Sequence, residues 1–467
     1  MLHRESLFDR TMAPLRRALF GTSEGDTQGA ELNDAGIEKL KQRIEDCLDR
    51  RGGDVSARAG AAELGHFYLE LGPEGRRRFL LLLATDYGVD RERVDKAMAA
   101  LQAMETGADT GRAERELRAA LVHRRVALLT QFNALPQGVK FLVDMRAEIL
   151  SLLGEEPSLR PLNDDLRELL TSWFDIGFLD LERITWGSPA ALLEKLMAYE
   201  AVHEIRSWDD LKNRLDSDRR CFAFFHPRMP DEPLIFVEVA LVSGMADNVQ
   251  VLLDEHAPEG DPGKADTAIF YSISNAQAGL AQVSFGDFLI KRVVDELRRE
   301  LPKLKTFATL SPVPGFRAWL TATLAKDESV PVDLWDRGLD AALIEVAGSA
   351  NGRDALRNLL ARSDWHQDEA ATAAIRPVVE PLAAHYLLEE KRGQRALDPV
   401  QNFHLSNGAR LERINWLGDT SRNGLDGAAG LMVNYLYKLA DIEQNHEAYR
   451  GRGKVTAAAS VRRLLKG

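Results

Sequence analysis

The chain changes character near residue 172, and this change constrains its fold more than any single motif does. From residue 34 to about 170, apolar residues recur at helical spacing, β-branched residues are sparse, and the breaks carry glycine or proline. Beyond residue 172, short runs rich in β-branched and aromatic residues alternate with helical segments. The sequence therefore predicts a multidomain α+β protein with an all-α helical bundle at residues 1–171 and a mixed α/β domain at residues 172–467.

The periodicity also predicts individual elements. In the first part, Asp34 can cap a helix whose apolar stripe runs from Ile37 to Leu48, and further helices are expected at 57–71, 75–87, 91–105, 111–132 and 139–153. In the second part, strands are expected at 221–226, 234–241, 268–274 and 307–310. The first part offers no nucleophile–base pair and no ligand cluster, so we interpret it as a unit for packing and association.

Composition excludes several classes of protein. The formal net charge is −12, which argues against non-specific nucleic-acid binding, because phosphate affinity needs clustered lysine and arginine. The two cysteines, Cys47 and Cys221, lie far apart, so a disulfide framework is excluded and a reducing compartment fits. The longest strongly apolar run, 79–84, is too short to span a bilayer. Neither end of the chain carries a clear targeting signal, so we expect a cytoplasmic protein.

A candidate phosphate site follows the predicted strand 268–274. The loop 275–286 carries Gly279 and Gly286, and an amphipathic helix is predicted from 287 to 301. Free backbone N–H groups at a helix N-terminus suit a phosphate, although Asp287 would repel one if it faced the ligand. The loop matches neither the dinucleotide fingerprint nor the P-loop, so it fits an ordinary connection as well.

The next predicted strand ends in an unusual turn, Ser311-Pro312-Val313-Pro314-Gly315. Both prolines fix their own φ and bias the preceding residue away from helix, so Ser311 is expected to be extended, with its hydroxyl held by a stiff backbone. Such preorganisation suits a catalytic group, and it also suits a rigid turn that merely ends a strand.

His404 is a second candidate for catalysis. Alternation in 402–408 predicts a strand with Phe403 and Leu405 on one face and His404 on the other, followed by a turn at Asn407-Gly408. Such a histidine could transfer protons or could be structural, and nothing in the local sequence pairs it with Ser311. The ten histidines are scattered without metal-ligand spacing, and no Gly-x-Ser-x-Gly motif occurs.

Together these segments resemble the malonyl-CoA decarboxylase family. The resemblance covers about residues 35 to 440, is strongest in the second part, and rests on segments that occur in the family's order and spacing. These are 270–286 (FYSISNAQAGLAQVSFG), 288–297 (FLIKRVVDEL), 310–316 (LSPVPGF), 402–408 (NFHLSNG), 414–416 (INW) and 430–437 (GLMVNYLY).

The resemblance implies a helical domain that supports oligomerisation and a catalytic domain with the GCN5-related acyltransferase fold. It places the catalytic serine at Ser311, the catalytic histidine at His404 and a tyrosine of the site at Tyr437. Its coenzyme-A loop falls on Ala281, Gln282, Val283, Ser284, Phe285, Gly286 and Asp287. Some members carry a glutamate where this chain has Ser284.

The activity implied is decarboxylation of malonyl-CoA to acetyl-CoA and CO2, assisted by Ser311 and His404. No metal or organic cofactor is expected beyond the coenzyme A of the substrate, because the thioester carbonyl is itself an electron sink. We expect a homo-oligomer, dimer or tetramer, that binds neither nucleic acid nor membrane. Two alternatives remain, an acyl-CoA N-acyltransferase and a non-catalytic acyl-CoA sensor, because a fold does not fix a function.

Overall fold

The chain divides into two compact units. The computed structural model describes residues 32–49, 54–104, 109–133, 135–174, 176–283, 289–325 and 337–465. The first unit contains the described residues of Met1–Leu179, His226–Glu232 and Gln277–Phe285, and the second contains those of Asp180–Phe225, Pro233–Ala276 and Gly286–Gly467. The first unit is helical and the second is built on a mixed sheet, which confirms the predicted fold class.

The helices of the first unit follow the predicted periodicity, with two corrections. The N-cap of the first helix is Asn33, whose side chain accepts from the Gly36 N–H, and Asp34 is instead the first helical residue. The predicted helix 111–132 is two helices, because Arg124 and Arg125 donate their N–H groups to the carbonyls of Gly88 and Tyr87. The helices are Asp34–Leu48, Asp54–Glu70, Pro73–Asp86, Arg91–Gln102, Gly111–Ala120, Arg124–Asn133, Gly138–Leu152 and Arg160–Trp173.

An aromatic cluster lies at the centre of this unit. Tyr68 packs edge-on against Phe79 and Phe141, with ring centroids 5.2 and 5.7 Å apart, and Phe132 packs edge-on against Phe141 at 5.2 Å. The buried Tyr68 hydroxyl donates to Glu148 at 2.6 Å, so its polar end is satisfied. Residues from four helices thus share one core.

The second unit is built on an eight-stranded sheet, whose strands are β1 Asp180–Ile184, β2 Arg219–Phe225, β3 Ile235–Val242, β4 Thr267–Asn275, β5 Thr306–Thr309, β6 Ser311–Pro312, β9 Arg410–Asn415 and β10 Met432–Leu436. Their order is β1-β2-β3-β4-β5-β10-β6, with β9 paired to β10. The β4–β5 pair is parallel, and the other pairs of this sheet are antiparallel. The four predicted strands are confirmed within two residues as β2 to β5. A separate two-stranded ribbon is formed by β7 Lys391–Arg392 and β8 Arg395–Ala396.

Helices flank this sheet. The predicted helix 287–301 is observed from Leu289 to Glu300 and buries its apolar face, while residues 284–288 lie outside the described part of the chain. None of the described helices combines the length and the apolarity needed to cross a membrane. The helices of this unit are Ala190–Tyr199, Trp208–Arg214, Val249–Leu252, Leu289–Glu300, Phe316–Leu324, Arg337–Ala347, Gly352–Ala361, Glu369–Leu388, Pro399–Ser406, Arg422–Ala428, Ile442–Arg452 and Ala459–Arg463.

The sheet changes partners where β5 ends. Phe270 of β4 pairs with Thr309, and its carbonyl accepts from the N–H of Leu310 at 2.9 Å. One residue later, Ser311 no longer pairs with β4 and lies opposite Val433 of β10. The sheet therefore presents Ser311 at the point where β5 and β4 separate.

Candidate active site

His404 lies in a helix, so the predicted strand is wrong. Asp398 caps the helix Pro399–Ser406 by accepting from the Gln401 N–H at 2.9 Å, and Pro399 occupies the first helical position. Gly408 ends the helix with φ of +80°. The alternation of apolar and polar residues in 402–408 is too short to distinguish a strand from one turn of helix, whereas Asp398-Pro399 is a helix-start signal that periodicity overlooked.

Three predicted residues form one continuous chain of hydrogen bonds. Ser311 Oγ lies 3.0 Å from His404 Nε2, and His404 Nδ1 lies 2.8 Å from the Tyr437 hydroxyl. The Ser311 hydroxyl donates to Thr309 Oγ1 at 2.8 Å. Because the serine proton is used in that bond, the Ser311 oxygen accepts from Nε2–H, and Nδ1 then accepts from Tyr437. The structure thus brings together Ser311, His404 and Tyr437.

The chain of hydrogen bonds is buried and electrically neutral. Ser311, His404 and Tyr437 are 6%, 2% and 2% exposed. Burial lowers the pKa of His404 to about 3, so the imidazole is neutral near pH 7. Burial also raises the pKa of Tyr437, which keeps the phenol protonated. The Tyr435 ring stacks on the imidazole, with centroids 4.6 Å apart, and fixes its plane.

A buried amide holds the strands beneath Ser311. Asn434 is fully buried, and its Nδ2 donates to the carbonyl of Thr309 at 2.8 Å. Its Oδ1 accepts from Asn415 Nδ2 at 2.9 Å. Thr309 Oγ1 also accepts from the Tyr435 N–H at 3.2 Å. These bonds join β5, β9 and β10, and they fix the end of β5, two residues before the serine.

Asp398 connects the helix of His404 to the turn after Ser311. Its carboxylate is fully buried and accepts from the N–H groups of Gln401, at 2.9 Å, and of Gly315, at 3.4 Å. Burial raises the pKa of this carboxyl. One side chain thus ties together the two segments that carry the candidate catalytic groups.

Ser311 and His404 open onto a cavity of about 230 Å³ within the second unit. Neither lysine nor arginine is among the described residues that line it, and its polar groups are uncharged near pH 7. The lining is formed by Val202, Ile235, Phe270, Tyr271, Ile273, Asn275, Ser311, Pro312, Pro399, Val400, Phe403 and His404. The cavity therefore offers a small, apolar and uncharged environment beside the Ser311 hydroxyl.

Comparisons with known proteins identify the family. Residues 177–467 match the profile of the malonyl-CoA decarboxylase C-terminal domain, and residues 87–174 match that of the N-terminal domain. The chain belongs to the malonyl-CoA decarboxylase family. It is 40% identical over 414 residues to the mitochondrial malonyl-CoA decarboxylase of Anser anser anser, covering 86% of this chain and 82% of the relative. Identity to the mitochondrial enzyme of Rattus norvegicus is 38% over 422 residues, covering 88% and 86%.

Solved structures of malonyl-CoA decarboxylases agree with this membership. The crystal structure from Rhodopseudomonas palustris is 44% identical, with a TM-score of 0.82, and covers 91% of this chain and 99% of that one. The structure from Agrobacterium vitis is 41% identical with the same TM-score and coverage. The animal relatives are named as mitochondrial proteins, so a cytoplasmic location for this family member stays a prediction from the sequence.

The predicted coenzyme-A loop is described only in part. Ala281, Gln282 and Val283 follow a short 3-10 turn at Ala278–Leu280, and Gln282 adopts φ of +63°. The remaining predicted contacts lie outside the described residues: Ser284, Phe285, Gly286 and Asp287. In the described parts of the chain, no group of three or more His, Cys, Asp or Glu side chains could hold a metal ion.

Sequence reasoning missed several residues of this site in the decarboxylase domain. Thr309 precedes Ser311 by two positions, so strand alternation alone places both side chains on one face. Tyr435 is likewise two residues before Tyr437. Asp398 carries the helix-start signal described above, whereas the sequence gives no signal that Asn434 contacts β5.

Proposed function

We propose that this chain decarboxylates malonyl-CoA to acetyl-CoA and CO2. The observation that carries the proposal is the buried, neutral hydrogen-bond chain of Ser311, His404 and Tyr437 beside an uncharged cavity, in a member of the malonyl-CoA decarboxylase family. The names of its relatives supply the substrate class, and the geometry supplies groups suited to it.

The reaction needs an electron sink and a proton. When the bond between the carboxylate and the methylene carbon breaks, its electron pair moves to the thioester carbonyl and forms an enolate, while the carboxylate leaves as CO2. A proton then adds to the methylene carbon and gives the acetyl thioester. Because the thioester carbonyl accepts the electrons, the chemistry requires no metal or organic cofactor besides the coenzyme A of the substrate.

The uncharged cavity favours the bond-breaking step. A carboxylate that enters the cavity loses its hydration and contacts apolar side chains, which raises its free energy. CO2 is neutral, so the same loss of hydration costs it little free energy. The charge that develops on the thioester oxygen instead meets a hydrogen-bond donor, the Ser311 hydroxyl, which turns its proton from Thr309 Oγ1 to the substrate while its oxygen still accepts from His404 Nε2. Since no lysine or arginine lines the cavity among the residues that the structure describes, the affinity for substrate would come mainly from its coenzyme portion.

His404 supplies the proton through Ser311. A neutral imidazole can donate from one nitrogen, and the contact with Tyr437 leaves that proton on Nε2, which faces the serine. Before the reaction Tyr437 holds the imidazole in this tautomer. The Ser311 hydroxyl protonates the carbanion and takes the Nε2 proton, while Tyr437 passes its phenolic proton to Nδ1, so that the imidazole stays neutral. The phenolate oxygen of Tyr437 regains a proton from solvent after CO2 has left.

The coenzyme contacts are proposed from the sequence. The loop residues Ala281–Asp287 would bind the coenzyme, and backbone N–H groups suit its pyrophosphate oxygens. The N–H groups of Ala281 and Val283 already donate to carbonyls of the same loop, so such donors would come from other residues of this range. From the sequence, Gly286 would let the backbone approach the ligand, because it has no side chain.

Incubation of the purified protein with malonyl-CoA alone tests the activity. Acetyl-CoA and CO2 are expected to form in equal amounts without any added amine, measured by chromatography and by release of labelled CO2. Acyl transfer that starts only when an amine is added would favour the N-acyltransferase alternative. Binding of malonyl-CoA without turnover would favour the acyl-CoA sensor.

The organisation of the protein is also proposed from the sequence. The helical part at residues 1–171 would mediate self-association into a dimer or tetramer, and residues 172–467 would form the catalytic domain. A cytoplasmic enzyme that consumes malonyl-CoA would act in fatty acid or malonate metabolism. Sedimentation of the full chain measures the oligomeric state.

A further inference from the structure

Arg146 is a fully buried cation on the helix Gly138–Leu152. Its Nε donates to Asn163 Oδ1 at 3.1 Å, and its Nη1 donates to the carbonyl of Gly279 at 2.5 Å. Both acceptors are uncharged, and Nη2 has no hydrogen-bond partner among the described residues. Burying a guanidinium is costly, and no carboxylate of the described residues forms an ion pair with it, although Asp164 exerts a longer-range attraction. Stability alone therefore does not explain an arginine at this position.

Gly279 is pressed against the same helix. A Cβ atom at this position would lie 1.8 Å from the carbonyl oxygen of Val143 and 2.7 Å from its carbonyl carbon, so only glycine fits. Val143 precedes Arg146 by three residues, which places the two on one face of the helix. The close approach to Val143 and the hydrogen bond from Arg146 thus hold Gly279 against one turn of this helix.

The loop beyond Gly279 is also tightly constrained. Successive N–H groups of Leu280, Ala281 and Val283 donate to carbonyls three residues earlier, at 3.0 to 3.1 Å. Gln282 is held at φ of +63°, a left-handed conformation that a residue with a side chain keeps only when its surroundings impose it. The segment Gln277–Val283 is therefore preorganised, and the bond from Arg146 to the Gly279 carbonyl ties it to the helix.

We propose that Arg146 is a positioning residue for coenzyme-A binding, which acts by anchoring the segment Gln277–Val283 on the helix Gly138–Leu152. The inference rests on the proposed function, because that function makes the segment beginning at Ala281 the coenzyme contact. It assigns to the helical unit a part in ligand binding in addition to association. A loop that is already ordered does not lose conformational freedom when the ligand binds, so its anchor contributes to affinity.

The anchor is tested by Arg146→Ala with Arg125→Ala as the matched control. Arg125 is similarly buried in the same unit and donates to the backbone carbonyls of Leu83 and Ala84 and to the Asp165 carboxylate, but not to the loop. Isothermal calorimetry with coenzyme A and turnover of malonyl-CoA are measured for both variants, together with melting temperature. Arg146→Ala is expected to weaken coenzyme-A affinity roughly 10- to 100-fold, with kcat at saturating substrate within about threefold of wild type. Arg125→Ala is expected to melt earlier yet to keep its affinity.

Two further measurements separate anchoring from general damage. Guanidinium ion, at concentrations too low to unfold the protein, can occupy the space that Arg146→Ala leaves and should restore affinity in that variant. Arg146→Lys keeps a donor for the Gly279 carbonyl and should bind coenzyme A with intermediate affinity, which tests the inference if the alanine variant does not fold.

The outcomes distinguish this inference from the proposed function. Wild-type binding of coenzyme A with unchanged affinity in folded Arg146→Ala or Arg146→Lys overturns the inference alone. Equal losses of affinity in Arg146→Ala and Arg125→Ala overturn it as well. A wild-type chain that does not bind coenzyme A overturns the proposed function and this inference together.

Discussion

The Nδ1 atom of His404 lies 2.8 Å from the Tyr437 hydroxyl, and this contact determines which imidazole nitrogen carries the proton. A protonated phenol donates to Nδ1, so the imidazole hydrogen lies on Nε2, beside Ser311. The neighbouring Tyr435 has a different relation to the histidine, because its ring stacks on the imidazole and its hydroxyl has no hydrogen-bond partner among the described residues. Two tyrosines therefore support one histidine in two separable ways.

Tyr437→Phe is expected to lower kcat by roughly 10- to 100-fold, because the imidazole loses the bond that fixes its tautomer, while the proton donor itself remains. KM for malonyl-CoA should change little. Tyr435→Phe is the matched control, since it keeps the stacked ring and removes only an unpaired hydroxyl, and it should retain near-normal kcat. Equal kcat in the two variants would contradict the assigned role of Tyr437.

Ser311→Ala is expected to lower kcat by about 10- to 10³-fold through the loss of a donor to the developing enolate. Affinity for acetyl-CoA, which lacks the carboxylate, should barely change. Pro312 and Pro314 stay in place, so the melting temperature should remain close to that of wild type. A purely structural serine would give the opposite pair of results, an altered melting temperature with normal turnover.

The buried state of His404 predicts how stability depends on pH. With a folded pKa of about 3 and an unfolded pKa near 6.5, the unfolded chain binds more protons between these values. The contribution of His404 is fully present above about pH 6.5 and is lost as the pH falls, by up to about 1.4 kcal/mol per pH unit. Chemical denaturation at pH 7 and at pH 5 measures this effect. Between the two pH values, the free energy of unfolding should fall more for wild type than for His404→Asn. The same fall in both proteins would show that His404 does not titrate in this way.

A second buried ionic cluster makes a contrasting prediction. Arg214 bonds Asp210 at 2.7 Å and Glu238 at 3.1 Å, and all three side chains are almost fully buried. Burial raises the pKa of Glu238 to about 8, despite the neighbouring Arg214. Arg214→Met leaves two buried carboxyl groups without their cation and should cost about 3–5 kcal/mol of unfolding free energy.

Glu238→Gln is the comparison for Arg214→Met. It keeps the shape of the side chain, and Asp210 still pairs with Arg214, so the expected cost is within about 1 kcal/mol. Because the pKa of Glu238 is raised in the folded state, the folded chain binds more protons than the unfolded chain between about pH 4.5 and pH 8. The free energy of unfolding of wild type therefore falls as the pH rises through this range. The free energy of unfolding of Glu238→Gln should therefore increase relative to that of wild type as the pH rises from 6 to 8. A constant difference across this range would argue that Glu238 is ionised throughout.

The sequence predicted the individual catalytic candidates better than their arrangement. Ser311 and His404 stood out because of their local surroundings, yet they lie 93 residues apart, and no local pattern shows that their side chains meet. The helix of His404 was mistaken for a strand because the alternation of polar and apolar residues over 402–406 is too short to distinguish the two periods. The break before Arg124 was missed because no glycine or proline marks it, and backbone bonds to a distant segment produce it.

The grouping of segments into units was the least predictable feature. Composition placed Gln277 to Val283 with the strands that surround them in sequence, whereas this segment belongs to the helical unit. The contact that holds it there, between Arg146 and Gly279, joins residues 133 positions apart. Contacts of this kind depend on tertiary packing, which local propensity does not encode.

The carboxylate of Asp398 has a consequence for the motions of the site. It closes the first turn of the helix that carries His404 and also holds Gly315 in the turn that follows Ser311. Fraying of that helix and separation of serine from histidine are therefore one and the same local opening. The amide protons of Gln401 and Gly315 should then exchange with solvent at a common rate. That rate would report how often Ser311 and His404 separate.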